Sequence, residues 1–335
     1  MKTVLVIIPH YNKIKLIKEC LSFLFKQTTN DFDILVIDNG STDNSNKYLF
    51  ELSKKNDNIH TILLNDNMGF AYAVNKGFEY AIKNNYTYSI LLNNDAFVEK
   101  DFVKALIDKM NIEKNLFAAQ SLMINYHNQE VIDSFGDGYN LFGFSSQNHI
   151  DERVEFIERD EDCFSACGGA SIYRNDILKK IGMLDDKFFA YLEDIDLSYR
   201  ARINGYKVST CKNARCYHLG SATSGSRYNS FKVRISARNN IYLIYKNMPI
   251  LMFLINLTPL FFGIIVKQLF FIFKGFGKDY FIGVLEGIFN AHNLKKTKIE
   301  NATIYTKFFR YLSIEWQLIT NTILYAFNFL KRHIK

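Results

Sequence analysis

Tyr88-Ser89-Ile90-Leu91-Leu92-Asn93-Asn94-Asp95-Ala96-Phe97-Val98 is the stretch on which the reading of this chain turns. Ile90, Leu91 and Leu92 end an apolar run, and three polar residues follow at once. A continuous apolar run of this kind suits a parallel strand covered on both faces. In open α/β sheets, ligands gather at the carboxyl ends of such strands. Asp95 therefore stands where a hard cation or a phosphate-bearing ligand is held. A carboxylate offers the oxygen that Mg²⁺ or Mn²⁺ prefers, and the amides of Asn93 and Asn94 suit a ribose or a water beside the ion. A plain polar turn after a strand is the competing reading.

Upstream, the same grammar repeats. Residues 3–8 are β-branched and apolar and run into Pro9-His10-Tyr11-Asn12. Residues 14–25 carry Ile14, Ile17, Leu21, Leu24 and Phe25 at helical spacing. A second strand, 32–37, ends in Asp38-Asn39-Gly40-Ser41-Thr42-Asp43, where Ser41 or Asp43 is predicted to cap the next helix. A third strand, 59–64, precedes Asn67-Met68-Gly69-Phe70 and a helix over about 71–83. Alternating strands and helices with short polar loops predict an α/β fold with a doubly wound, mostly parallel sheet. Right-handed crossovers then bring Asn12, Asp38, Gly69 and Asp95 to one rim. Asp38 can accept from ribose hydroxyls or a base imino group. Gly69 opens a helix, where backbone N–H groups can meet a phosphate. Neither G-x-G-x-x-G after the first strand nor G-x-x-x-x-G-K-[ST] occurs, which argues against a dinucleotide dehydrogenase and a P-loop NTPase.

Downstream, 102–110 reads as a helix and 116–124 as a short strand. Residues 125–162, polar and aromatic with Gly136, Gly138 and Gly143, read as a variable acceptor-side insertion, with His127 and His149 on its surface. Residues 164–173 form a strand whose Gly168-Gly169 pair lets a backbone or ligand approach closely. A short helix, 174–181, follows. Glu193, Asp194 and Asp196 then place three carboxylates in four residues at the start of a helix that Gly205 ends. The helix dipole favours negative charge there and the apolar neighbours oppose it, a setting for acid/base chemistry. Asp196 is predicted to pair with Arg200 at i,i+4. Short strands at 206–210 and 214–217 lead to His218. The Ser/Thr/Gly-rich 221–228 reads as a mobile loop over the donor.

The totals bound the rest. Of 335 residues, 48% are hydrophobic, enough for a sizeable core. No signal-like n- and h-region opens the chain, so the bulk is expected in the cytosol. No C-x-x-C pair occurs among the five cysteines, which read as free thiols of a reducing compartment. From Ser221 onward there are 16 Lys+Arg against 4 Asp+Glu, and before it 25 against 30. The positive end is also the apolar end, so an anionic membrane surface is expected rather than nucleic acid. Residues 248–266 are uncharged, with Pro259 near the middle, and 269–273 continue the run. This predicts a kinked helix pair or re-entrant segment lying in the interface, with one true span near 248–273 or a buried core helix as the alternatives. Residues 280–290 and 304–335 follow. Phe308, Tyr311, Leu312, Trp316 and Ile319 share one face with Lys307 and Arg310 nearby, and Lys331-Arg332-His333-Ile334-Lys335 close the chain. All of this suits a headgroup layer, or alternatively a homodimer interface.

Pro9-His10-Tyr11-Asn12, the Asp38–Asp43 cluster, Asn67-x-Gly69-Phe70 with Asn75 and Gly77 beyond, and Leu91-Leu92-Asn93-Asn94-Asp95 together resemble a family 2 glycosyltransferase of the GT-A fold. The likeness is to its rhamnosyltransferase-like branch, which builds bacterial surface polysaccharides. That resemblance implies a GT-A domain over 1–225, with a nucleotide-sugar half at 1–115 and an acceptor half at 116–225. A helical membrane-associated region, 226–335, follows. It implies that Pro9, Tyr11, Asn12, Asp38, Asn67, Gly69, Asn75, Asn93, Asn94 and Arg238 hold the nucleotide sugar, with Arg238 of an Arg238-Asn239 pair clamping the diphosphate. Gly168, Gly169 and Asp185 are the expected acceptor contacts. Asp95 takes the metal-binding place of an Asp-x-Asp motif whose first carboxylate is here Asn93, and His218 completes the shell of Mg²⁺ or Mn²⁺. The general base is expected at Asp194, with Glu193 as its rival. The implied reaction is an inverting transfer from dTDP-rhamnose or a UDP-sugar to a lipid-linked glycan at the cytoplasmic face of the membrane. A non-catalytic sugar-binding scaffold is the alternative that Asn93 motivates, and a nucleotidyltransferase lacks its basic loop after the first strand.

Overall fold

A computed structural model describes residues 2–220, 228–299 and 302–333. The expected 221–228 loop, apart from Tyr228, and the last two residues of the basic terminus lie outside that range. The first strands are β1 (Val4–His10), β2 (Phe32–Asn39), β3 (Ile59–Leu64) and β4 (Tyr88–Leu92). Between them run α1 (Ile14–Leu24), α2 (Ser45–Lys55) and α3 (Phe70–Lys83). β1 lies parallel between β2 and β4, and β3 lies parallel beyond β2. Val4 to Ile8 and Ile34 to Ile37 are inaccessible to solvent, because helices cover both faces. Each such side chain contributes ~1.5–3 kcal/mol by leaving water. Gly77 lets α3 settle on Ile7; a side chain there would overlap it. The start of α2 differs from expectation. Asn44 holds the capping position in a left-handed conformation, while Asp43 accepts from the N–H groups of Ser45 and Ile14 and so ties two loops together.

The second half completes one sheet in the order β3-β2-β1-β4-β10-β6-β11-β5. β5 (Ala96–Val98) and α4 (Phe102–Ile112) precede β6 (Leu116–Asn125), a ten-residue strand rather than a short one. β7 (Ile132–Ser134) pairs with β6, and β8 (Asp137–Tyr139) with β9 (Ser145–Gln147). The 125–162 stretch is therefore a folded insertion. Within it His127 is exposed, but His149 is half-buried between Glu152 and Glu161 at 2.9 Å each, and hydrogen bonding to them raises its pKa to about 9. β10 (Ala170–Arg174) runs antiparallel to β4 and β6, and α5 (Asn175–Ile181) follows. After α6 (Glu193–Ile203), the two strands expected at 206–217 form one bulged strand, β11 (Lys207–His218).

Register then positions the site. β10 is reversed, so Gly168 and Gly169 lie at the rim where β4 ends, and Asn93 N–H donates to Gly169 O at 2.8 Å. β11 runs parallel to β6 and antiparallel to β5, which sets His218 opposite Ala96, and Leu219 N–H donates to Asp95 O. A hundred and twenty residues of chain return to one corner.

α7 (Ser230–Asn247), α8 (Ile250–Phe273), α9 (Gly277–Asn290) and α10 (Ile304–His333) form the C-terminal part. α8 is one continuous 24-residue helix containing Pro259, not the kinked pair that the proline suggested. At 1.5 Å per residue it is about 36 Å long, enough by length and apolar composition to cross a bilayer. Met252, Asn256, Leu260 and Gly263 hold one stripe of it against the protein, and most of the rest is exposed. α10 also turns apolar residues outward: Phe308, Leu312 and Trp316 are exposed, while Ile314 and Leu318 are buried.

Asp196 joins α6 to this region. It is wholly buried and accepts from Arg200 and Lys246 at 3.0 Å and from Asn247 at 2.8 Å. Burial alone would raise its pKa, but the two cations carry it below the ordinary 3.8. Such a group stabilises the fold above the ordinary carboxylate range, and that contribution is lost as pH falls through the depressed pKa. Asp196→Asn, which leaves buried Arg200 without a carboxylate and Lys246 with Asp185 alone, is expected to cost ~3–5 kcal/mol at pH 7. The deficit against wild type should shrink below about pH 3.8. Urea unfolding at pH 7 and pH 3 checks both parts, and a deficit independent of pH would remove the assignment.

Candidate active site

A cavity of about 1400 Å³ opens at the rim. Pro9, Tyr11, Asn67, Gly69, Asn93, Asn94, Asp95, Gly168, Gly169, Glu193, Asp194 and His218 all line it, so Asp95 and the Glu193-Asp194 pair share one cleft. Five expected residues are absent from the lining, and each is occupied elsewhere. Asn12 accepts from the Thr42 N–H at 2.8 Å, joining the loops after β1 and β2. Asp38 is buried one position below the rim; it accepts from Ser41 N–H at 2.7 Å, its other oxygen has no partner among the described residues, and Asn39 takes the rim position. Asn75 brackets the Leu184 backbone and donates to Asp186. Asp185 pairs with Lys246 at 2.8 Å. Gly69 does line the cleft, but with φ +92° its missing side chain makes room for Phe189.

Arg238 is the clearest departure. Its guanidinium donates to the carbonyls of Lys187 and Phe188 and to its neighbour Asn239. Asn239 is fully buried and donates to the carbonyls of Phe188, Ala190 and Tyr191 at 2.9, 2.9 and 2.7 Å. The pair thus grips a protein turn. That turn needs it: Phe189, Tyr191 and Leu192 all have φ between 64° and 70°, a conformation costing of order 1 kcal/mol or more for each side chain. The turn leads directly into Glu193 and Asp194. Sequence reasoning found the Arg-Asn pair but not what it holds, since the strain is invisible without coordinates.

The acidic end gathers three carboxyl groups. Oxygens of Asp137 and Asp194 and the Cys167 sulfur lie within 4.8 Å of one another. Asp137, on β8, was missed because it lies in the insertion. Burial first, and then the charge of Asp194, push Asp137 well above the usual carboxylate range, and the same two causes act on Glu193. One Glu193 oxygen is buried without a partner among the described residues. Burial also raises Asp194, but the N–H groups of Gly168 (3.1 Å) and Ile195 (2.8 Å) work against it, and its side chain keeps some exposure. Asp194 is the acid best equipped to be an anion facing the cavity. All five cysteines are free, and burial raises the Cys167 thiol.

At the other end, His218 Nε2 stands 3.4 Å from Asp95 Oδ1, and its Nδ1 lies 2.8 Å from Asp133 Oδ2. Burial pulls the imidazolium down, but these carboxylates overcome it and carry the pKa to about 10. Cis ligands of a small dication at about 2.1 Å stand about 3 Å apart, so Asp95 and His218 fit as two ligands. Asp133, also in the insertion, fixes the outer nitrogen of the ring, the usual support of a ligating histidine.

Residues 5–182, more than half of the chain, match the model of glycosyl transferase family 2. The chain belongs to that family. Glu193, Asp194 and His218 lie beyond the matched residues. Among curated relatives, a teichoic acid poly(glycerol phosphate) polymerase of Staphylococcus epidermidis is 38% identical over 76 residues, 22% of this chain and 10% of that one. A glycosyltransferase of Streptococcus pneumoniae is 27% identical over 128 residues, 38% of this chain and 40% of that one. These matches thus span less than half of either relative. Among solved structures, GalNAc-T7 with UDP, GalNAc and Mn²⁺ superposes with a TM-score of 0.59 at 13% identity, over 73% of this chain and 48% of that one. A mannosyltransferase of Pyrobaculum calidifontis with GDP-Man and Mn²⁺ gives 0.54 at 12%, over 95% and 81%. The architecture of this family 2 enzyme is GT-A, with a C-terminal helical region.

Releasing the turn before Glu193 should be felt at the site. Asn239→Ala is expected to speed amide exchange across residues 187–192 and to slow turnover by roughly 10²-fold, the scale of a misplaced catalytic group, with nucleotide binding retained. Unaltered exchange there would show that the turn holds itself.

Proposed function

We propose that this glycosyltransferase is inverting and uses a divalent cation. It moves a sugar from a nucleoside diphosphate onto a lipid-linked or growing cell-surface glycan. The observation that carries the reading is one cleft with the Asp95–His218 pair at one end and Asp194 at the other. In this reading 1–115 binds the donor, 116–225 the acceptor, and 226–335 rests on the cytoplasmic face of the membrane. The outward apolar faces of α8 and α10 and the basic excess after residue 220 support that placement. The family resemblance favours dTDP-rhamnose, with UDP-sugars as the other donors, and the likeness to a teichoic acid polymerase supports a surface polymer as product. A second copy meeting through α10 is the competing use of the same face.

Asp95 and His218 would hold the cation, Mg²⁺ or Mn²⁺, which when bound neutralises charge building on the leaving diphosphate. Tyr11, Asn39 and Asn67 surround the nucleotide end; Asn39 donates to Asn67 at 3.0 Å and accepts from Met68 N–H, which keeps that wall rigid. Asp194, ionised and aimed by two backbone N–H groups, takes the proton of the acceptor hydroxyl as that oxygen attacks the anomeric carbon from the face opposite the leaving group. Burial and the charge of Asp194 raise Glu193 and Asp137 well above the usual carboxylate range, which favours Asp194 as the proton acceptor of the three. The scaffold alternative rested on Asn93; His218, backed by Asp133, supplies the second protein ligand that Asn93 does not.

A panel of nucleotide sugars in thermal shift with Mn²⁺ identifies the donor, because bound ligand stabilises the native state. With it, Asp194→Asn is expected to lower kcat by roughly 10²–10⁴-fold with donor binding intact, and full activity in that variant would remove the mechanism. Asp133→Asn should weaken Mn²⁺ binding by roughly 10–100-fold in titration calorimetry. An unchanged constant would place the ion elsewhere.

A further inference from the structure

The cavity is larger than the ~300–1,000 Å³ usual for a single small ligand. Its far wall is unlike its rim. There α7, α8 and α9 contribute Val233, Ala237, Phe271 and Tyr280, the last two stacked with ring centroids 5.3 Å apart. Among these apolar groups stands the ammonium of Lys267 of α8, and Lys232 of α7 also lines the cavity. Lysines on apolar helices ordinarily extend outward to reach water. Lys267 turns inward instead, 3.3 Å from Gly143 O and 4.7 Å from the centre of the Phe144 ring. No carboxylate among the described residues lies within 4.0 Å of it. On the outer side of the same helix, Ile265, Leu269 and Ile272 are exposed. A half-buried cation with no carboxylate beside it lacks a charge partner, which a bound anion would supply. An ionisable group set in an apolar helix is by default a candidate functional group.

We infer that Lys267 anchors the phosphate head of an amphiphile whose hydrocarbon tail leaves along the exposed face of α8. The cation selects the head, the Phe271–Tyr280 wall covers the first carbons, and the cleft leads from there to Asp194. The amphiphile's role as the lipid-phosphate-linked acceptor rests on the transferase reading; the binding site itself does not.

Farnesyl diphosphate is the probe, with farnesol, inorganic diphosphate, UDP with Mn²⁺ and phosphatidylglycerol vesicles as separate arms, all titrated against the full chain. Farnesyl diphosphate should bind wild type more tightly than farnesol or inorganic diphosphate. Lys267→Gln should weaken that binding roughly tenfold or more, as loss of a charge-assisted contact does, while Lys267→Arg stays within about threefold. Farnesol, UDP and vesicle binding should not change. In wild-type protein, farnesyl diphosphate and not farnesol should slow acylation of the Lys267 amine, a readout that needs no variant. Equal binding of farnesyl diphosphate by Lys267→Gln overturns the inference. So does a loss confined to UDP, which would put the ammonium on the donor, or one confined to vesicles, which would make it a headgroup contact. Lys267-dependent binding without sugar transfer would sustain this site and sink the transferase reading; transfer without such binding would do the reverse.

Discussion

A single buried carboxylate fixes the geometry on which the cleft depends. Asp196 has no access to water, so its charge persists only while Arg200, Lys246 and Asn247 surround it. Arg200 in turn donates to the carbonyls of Ile181, Gly182 and Met183, closing the end of α5, and Lys246 also holds Asp185. One unit of charge thus locks the axis of α6 against both α5 and α7. Asp194 lies two residues earlier on the same helix. Its direction is set from below by that ion cluster and from in front by the Asn239 grip on the preceding turn. Asp194 is thus held by two independent constraints, one electrostatic and one made of hydrogen bonds.

Much of the rim was legible in the sequence for a simple reason. Each of β1 to β4 is a local apolar run, and the polar residue after it falls at a strand end whatever the details. Tyr11, Asn67, Asn93, Asn94 and Asp95 were found that way, and all line the cavity. Asp38 shows the limit of the method: β2 runs two residues further than its apolar stretch, to Asn39, so the aspartate sinks below the rim and its neighbour emerges. Asn75 and Asp185 fit a motif but spend their polar atoms on the protein itself. Asp133 and Asp137 were illegible because 125–162 has no periodicity of its own. Its strands exist through pairing with β6 and with each other, contacts that no local pattern announces.

The two ends of the cleft use burial in opposite ways. Around His218, low polarity strengthens attraction between unlike charges, so the imidazolium is favoured despite the cost of hiding it. Around Asp194, burial raises all three neighbouring acids, and the charge of Asp194 pushes Asp137 and Glu193 further up. In the proposed reading a dication would take the place of the proton between His218 Nε2 and Asp95 at the first end, and the proton acceptor would be Asp194 at the second. The division follows from which side chains the register of β5, β10 and β11 delivers to each end.

The helical region is usually read as an anchor beside the catalytic domain, but here it is also a wall of the cleft. α8 is pinned by Gly263 against Phe142 of the insertion and by Asn256 through its 2.8 Å bond to Glu315 of α10. Those contacts use one stripe of the helix; Ile265, Leu269, Ile272 and Phe273 on its other side are exposed. A helix placed so faces the cavity on one side and turns apolar side chains outward on the other. Were it merely an anchor, its inner side would be expected to be as apolar as its outer side, and Lys267 would have no reason to face inward. The inward ammonium gives the helix two unlike sides, a charged one toward the cavity that holds the acids and an apolar one on the exposed stripe. In the proposed reading, anchoring and the choice of acceptor would then be one property of a single helix.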